Sequence, residues 1–292
     1  MTTFETNEPI VLSIELSQGA VHVIAADRTD TVVAVNPSDR DQPDDVEAAG
    51  ATVVDLSSGT LSIRAPKPRG IAAHLGRNRG GSVDVTVELP EGSSLRAEAG
   101  FADFRSDGRL DAVEVKAGAG DVRLDRTGAL RVRSGAGHVA VEEASGRAEV
   151  ATAGETTIAV VAGDADVKNL NGRTWLGRVG GTARVRSANG DVVIEDAGSD
   201  VTVKTANGSI RLGQVSRGSA TIETASGGLE IGVREGTAAW IDASTKFGRV
   251  RNDLTSADEP EPSAETVQVR ARTEFGDVVI ARSPEPNQQG GT

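Results

Sequence analysis

The sequence contains no cysteine and no tyrosine, one methionine, two tryptophans and five phenylalanines. Without cysteine there is no disulfide, no thiolate nucleophile and no thiolate-held metal, and the redox compartment leaves no mark on the chain. Aromatic residues are 2% of 292, so any core must be built from Val, Ile, Leu and Ala. Such side chains suit repeated thin layers better than one thick globule. No apolar run approaches the roughly 20 residues that span a bilayer, so no membrane insertion is expected. The start, MTTFETNEPIVLSIEL, lacks a basic segment followed by an apolar stretch. It does not read as a secretory signal, and a cytoplasmic location is expected. Histidine is scarce too: His22, His74 and His138 stand far apart with no ligand-like spacing. No metal or cofactor is expected.

The charge balance, 31 basic against 43 acidic residues, gives a formal net charge of −12. A field of that sign repels nucleic acid and anionic membranes, and neither is expected as a partner.

Glycine, by contrast, is abundant at 35 residues, and it recurs at a fixed beat. VKTANGSIRL (203–212) is nearly repeated eighteen residues earlier as VRSANGDVVI, and again as VRSGAGHVAV and VKAGAGDVRL, in units that recur every 17 to 19 residues apart from the last. Aligned on the turn, one column reads Val115, Val132, Val150, Val167, Val185, Val203, Ile222, Ile241 and Val269. Columns of apolar or small residues run two positions to either side, through Val113 and Ala117 in the first full unit. After the turn, Val122 and Leu124 begin two further apolar columns. Residues i, i+2 and i+4 share one face of a strand, so these columns predict interior walls.

Two topologies fit this pattern. In an antiparallel β-meander each Asn-Gly closes a hairpin; in a single-stranded parallel β-helix each 17–19-residue unit is one rung stacked on the last. Uniform columns favour the β-helix, because each inward residue then touches its equivalents above and below. A propeller blade needs about 40 residues or more, which this period does not match. Residues 1–95 read as a β-rich start to the solenoid with two loop insertions, NPSDRDQPDDVEAAG and APKPRGIAAHLGRNRGG. LRAEAGFADF fits an incomplete rung, with Ala97 in the Val115 column and Phe104 in the Val122 column. Residues 96–282 carry the regular repeats, with an insertion at 252–266, and 283–292 read as a disordered tail.

The combination of SIELSQGAVHVIA, SVDVTVELPEGSSL and the A-x-G-D-V rungs resembles a bacterial “putative adhesin” family of β-strand repeats, a domain of unknown function. The likeness runs from Ile10 to Ala281 and implies a scaffold. No catalytic residues carry over from it.

Chemical motifs are few. GAGDVRL and SGAGHV do not complete G-x-G-x-x-G and run on into strands, so they do not mark a nucleotide site. The position after the turn residue includes Asp103, Asp121, His138, Arg173, Asp191 and Arg249, an interrupted series that cannot form a calcium ladder. Aspartate there reads as turn chemistry. Outward on the first wall run Lys116, Arg133, Ala151, Lys168, Arg186 and Lys204, then Glu223, Asp242 and Arg270. Trp175 falls in an outward column between Thr157 and Val193, and Trp240 between Thr221 and Gln268. Exposed Trp and Arg are the residue types that anchor interfaces.

The expected function is therefore a non-catalytic scaffold or interaction module, adhesin-like, binding an extended or repetitive protein or polymer along one wall. Trp175, Trp240, Lys116, Arg133, Lys168, Arg186 and Lys204 are its expected contacts. Self-assembly into a homo-oligomer, end to end or wall to wall, is a related expectation, since open solenoid ends offer unpaired strands. The alternative is a carbohydrate-active β-helix enzyme with Glu223 and Asp242 as its carboxylates.

Overall fold

A computed structural model describes residues 1–66, 81–254 and 265–283. His74, most of the second expected insertion, the centre of the third and all of the expected tail but Ser283 lie outside these residues; Ser283, expected in the tail, is buried and donates its N–H to the Val233 carbonyl. The chain divides into two compact units, Met1–Gly154 and Glu155–Thr292. Both are built from parallel β-solenoid coils, and the antiparallel-meander alternative is excluded for the repeats.

The first unit contains β1 (Thr2–Glu5), β2 (Val11–Ala26), β3 (Asp30–Pro37), α1 (Pro43–Ala51), β4 (Val53–Ser57), β5 (Thr60–Arg64) and β6 (Ser82–Pro90). It continues through β7 (Ser94–Arg109), β8 (Val113–Ala119), β9 (Val122–Thr127), β10 (Leu130–Ser134), β11 (Val139–Ala144) and β12 (Ala148–Thr152). One ladder stacks β8, β10 and β12 in parallel, with Val115 beside Val132 and Val132 beside Val150. The other stacks β9 and β11, with Val122 beside Val139. Two long strands, β2 and β7, serve both ladders and pair with each other over most of their length. Ala97 meets Val115 and Phe104 meets Val122, as the incomplete rung requires.

The coil beyond β2 is made of β5 and β6, later in sequence, so spatial order departs from chain order here. Antiparallel strands close that end: β4 on β5, β3 on β6 and β1 on β3. The segment read as a loop at 36–50 contains α1 instead. Pro43 opens this helix and Asp44 and Asp45 occupy its first turn. Proline's fixed φ suits a first helical position, and carboxylates there oppose the helix dipole. A loop-like composition thus concealed a helix start.

The second unit comprises β13 (Thr156–Val161), β14 (Ala165–Asn171), β15 (Thr174–Val179), β16 (Ala183–Asn189), β17 (Val192–Ala197), β18 (Val201–Asn207) and β19 (Ile210–Val215). It ends with β20 (Gly218–Ser226), β21 (Leu229–Val233), β22 (Ala238–Phe247), β23 (Val250–Asn252), β24 (Thr266–Phe275) and β25 (Val278–Arg282). The first ladder runs β14, β16, β18, β20, β24, β22. The second runs β13, β15, β17, β19, β21, β25, β23. The last coil in sequence is therefore next to last in space, a reversal of the expected order. Its register also corrects the expected column: Ile222 lies beside Ala271, and Val269 beside Ala220 and Ile241. The slip is by two residues, an even number, so every side chain keeps its face.

The expected columns are sealed except in the coil of β22 and β23, where Ile241 is half-covered and Val250, expected to point inward, is exposed. Val115, Val132, Val167, Val185, Val203 and Ile222 have no exposed surface, and neither do Val122, Val192 and Ile210 on the second ladder. A further column passed unseen in the sequence: Thr127, Ala144, Val161, Val179, Ala197, Val215 and Val233 are all buried. As far as Val215 it stands three residues after the Leu124 column rather than two; at Val233 the step is two, with a register shift against β19. The second-ladder strands thus break their alternation to bend inward once more. Hydroxyls explain the small polar column before the turn. Thr224 Oγ1 donates to the Gly208 carbonyl (3.0 Å) and Thr273 Oγ1 to that of Gly227 (3.0 Å). Each satisfies a buried polar group with the backbone of the neighbouring coil.

Candidate interaction surface

On the first ladder of the first unit, outward positions one rung apart alternate in sign: Arg96, Glu114, Arg131, Glu149. Arg131 pairs with Glu149 at 2.9 Å, and Arg147 reaches the same carboxylate at 3.0 Å. Lys116 turns back to Glu114 at 2.9 Å. That ammonium, with the positive fields of Arg131 and Arg96, holds the Glu114 carboxyl below its ordinary value. A groove of about 300 Å³ runs across the strand starts, lined by Val11, Leu95, Arg96, Glu114, Arg131 and Arg147. Lys116 is thus a paired charge; Arg133, its neighbour on β10, is exposed and makes no ion pair among the described residues.

In the second unit Lys168, Arg186, Lys204 and Glu223 occupy directly opposed positions on β14, β16, β18 and β20. Arg272 follows on β24. Lys204 pairs with Glu223 at 2.7 Å. Lys168 and Arg186 are exposed and make no ion pair among the described residues. Like charges directly opposed across a ladder cost stability. Two such cations held side by side without a counter-charge form a local positive strip on an acidic protein.

Asp242 does not belong to this column. It lies beside Arg270 on the end strand and pairs with Arg272 at 3.4 Å. Glu223 and Asp242 are on strands separated by β24, each beside a cation.

Trp175 lies between Thr157 and Val193, as expected. It is half-buried, and its Nε1–H donates to Glu195 Oε1 at 3.2 Å. The ring lies over Gly177, where a Cβ would come within 3.0 Å of it. Trp175 stands on the second ladder, whereas the cationic strip stands on the first. One wall cannot present both. Trp240 is 73% exposed, and among the described residues its one ladder neighbour is Gln268, because β24 separates β22 from β20 and Thr221 lies beside Arg270.

The turn carries its own columns. Asn189 Nδ2 donates to Asn171 Oδ1 and Asn207 Nδ2 to Asn189 Oδ1, each at 3.0 Å, an amide ladder with an 18-residue step. The same column continues through Ser226 to Phe275 and Phe247, whose rings stack with centroids 4.9 Å apart. Aspartates just after the turn reach the next coil: Asp103 accepts the Asp121 N–H, and Asp191 that of Ser209, both at 2.8 Å. The His138 N–H donates likewise to Asp121 at 2.9 Å and is the main reason that carboxyl lies below its ordinary value. These aspartates are structural. His22 is held by Asp107 at 2.6 Å, with Arg105 on the same carboxylate. Among the described residues no group of three or more His, Asp or Glu side chains is arranged to hold a metal ion. None of the described helices is long and apolar enough to cross a membrane.

Parallel ladders closed by glycine turns, with ordered outward columns, define a β-solenoid repeat protein. The chain belongs to the Toastrack DUF4097 family, whose pattern matches residues 11–283. Similar solved structures include a “putative adhesin” from Parabacteroides merdae, 12% identical over 96% of both chains with a TM-score of 0.41. Another is a “putative adhesin” from Bacteroides fragilis, 10% identical, covering 96% of this chain and 95% of that one, at 0.35. A “putative lipid binding protein” from Parabacteroides distasonis is 9% identical over 96% of both chains, at 0.34. Among curated proteins none matches significantly.

Proposed function

We propose that the protein is a non-catalytic, adhesin-like interaction module whose second unit binds an extended acidic partner along Lys168, Arg186 and Lys204. The carrying observation is the register that holds Lys168 beside Arg186, neither of them in an ion pair among the described residues. Neighbouring strands lie about 4.8 Å apart, so the strip offers one cation per rung to a chain running along the stacking direction. A flexible acidic segment or a polyuronate matches that repeat; a compact partner meets only part of it. Arg133 presents a similar isolated cation in the first unit, while Lys116, paired with Glu114, and Lys204, paired with Glu223, are the weaker cationic contacts of the expected set.

Binding of poly-glutamate and of polygalacturonate tests the proposal, by titration at several salt concentrations. Binding should weaken strongly from roughly 0.05 to 0.5 M salt, as screening shortens the reach of exposed charges. Lys168→Glu with Arg186→Glu should abolish it, and Lys116→Glu should leave it nearly intact. Equal binding by the double variant contradicts the proposal.

A further inference from the structure

The spatial end of the second unit differs from that of the first. In the first unit, antiparallel strands cover the terminal coil. In the second, β22 has one ladder neighbour, β24, among the described residues. Its inward residues show the consequence. Ala239, Ile241 and Ala243 are only half-covered, whereas their equivalents one coil inward, Val267, Val269 and Ala271, are at most 1% exposed. The same edge carries Trp240 at 73%, Phe247 at 65% and Val250 at 45% exposure.

We infer that this edge is completed by a second copy of the chain, β22 pairing antiparallel with β22 about a twofold axis through Ser244. This inference does not depend on the acidic partner proposed above. Three features of one short strand select the arrangement. The Ala238 N–H donates to Glu265, toward β24. By strand alternation the N–H and C=O groups of Ile241, Ala243 and Thr245 then face the open edge. Antiparallel pairing about Ser244 sets Ala243 opposite Thr245 of the second copy, so both pairs of backbone groups are used. The outward side chains agree. Asp242 falls opposite Lys246 of the second copy, and the two are of opposite sign. Within one chain Asp242 already pairs with Arg272 and Lys246 with Glu274 at 2.6 Å. The joined edge would therefore read Arg272, Asp242, Lys246, Glu274, alternating in sign across the contact. Trp240 falls opposite Gly248, which has no side chain and leaves room for the indole. A pairing centred on Asp242 would instead oppose two carboxylates, which is unfavourable.

Isologous contacts of this kind close at two copies rather than growing into fibres. Strand addition at an open edge is also a common way of joining chains through the backbone.

The test combines sedimentation equilibrium with cross-linking on the full chain. The protein should sediment as a concentration-dependent dimer. Ala243→Pro removes an N–H at the open edge, a position where proline is tolerated. It should weaken association by roughly tenfold or more, since two hydrogen bonds are lost per dimer. Because the chain has no cysteine, Ser244→Cys supplies one thiol, placed on the axis at a non-hydrogen-bonded position with closely approaching Cα atoms. Mild oxidation should convert it to a covalent dimer, while Arg184→Cys, on an interior coil, should stay monomeric. A monomer at every concentration, with no cross-link through Ser244→Cys, overturns the inference. Equal cross-linking through both cysteines does so too, as does a dimer indifferent to Ala243→Pro.

Discussion

The Asp191 carboxylate accepts the backbone N–H of Ser209, one coil further on, at 2.8 Å. The same bond joins Asp164 to Thr182 and Asp200 to Ser219. These bonds connect a turn to the coil that follows and supplement the strand ladder where the chain bends. Asp191→Ala should cost about 1 kcal/mol, the usual net worth of one such bond. Asp191→Asn keeps an acceptor oxygen and should cost about half as much or less. Urea unfolding of the two variants measures the difference, and equal losses would remove the bond from the account.

Acid should weaken the first unit through Asp121. The His138 N–H, aided by Arg123, lowers its folded-state value below that of the unfolded chain. The stabilisation is thus complete above the unfolded carboxylate value of about 3.9 and is lost as pH falls through the lower, folded one. Asp107 acts in the same direction, held down first by Arg105 and then by His22. Melting temperature should be level on this account from pH 7 to about 5 and should fall below about 4. Asp121→Asn should make that fall shallower. An unchanged acid limb would contradict the assignment.

Glycines at the turn are not equivalent to glycines in the hairpin. Gly190 has φ +125°, and a Cβ on it would stand 2.2 Å from the Gly172 carbonyl oxygen of the coil before. Gly59, at φ +72°, has open space around its missing Cβ. Gly59→Ala should therefore cost only the left-handed backbone strain, about 1–2 kcal/mol. Gly190→Ala adds a backbone collision and should cost roughly 2–5 kcal/mol. Chemical denaturation of both variants gives the comparison.

Much of this fold was readable because stacked coils repeat the same local demand. Val185 meets Val203, and Val203 meets Ile222, so each position wants one size of side chain and writes a visible column. The rest depends on relations that no column records. Neither ladder announces that β24 slides between β20 and β22, because all three offer similar inward faces, and an even slip conceals itself. The second-ladder bend was missed because Val179 stands three residues after Leu176, outside an alternation of two. Trp175 and Lys168 were both rightly placed outward, yet only the stacking shows that they face different ways. Ion pairing was equally hidden: Lys116 and Arg186 look alike as letters, and only the first has a carboxylate beside it.

The account turns on which outward residues are neighbours at the far end of the second unit. Glu223 lies directly beside Arg272, with Asp242 one strand further away. In this cysteine-free chain, paired cysteines report that order by disulfide formation, which requires Cα atoms within about 7 Å. Glu223→Cys with Arg272→Cys should cross-link rapidly within one chain, and Glu223→Cys with Asp242→Cys should not. The opposite outcome would restore sequence order to the coils, bury β22 and contradict both the column and the open edge.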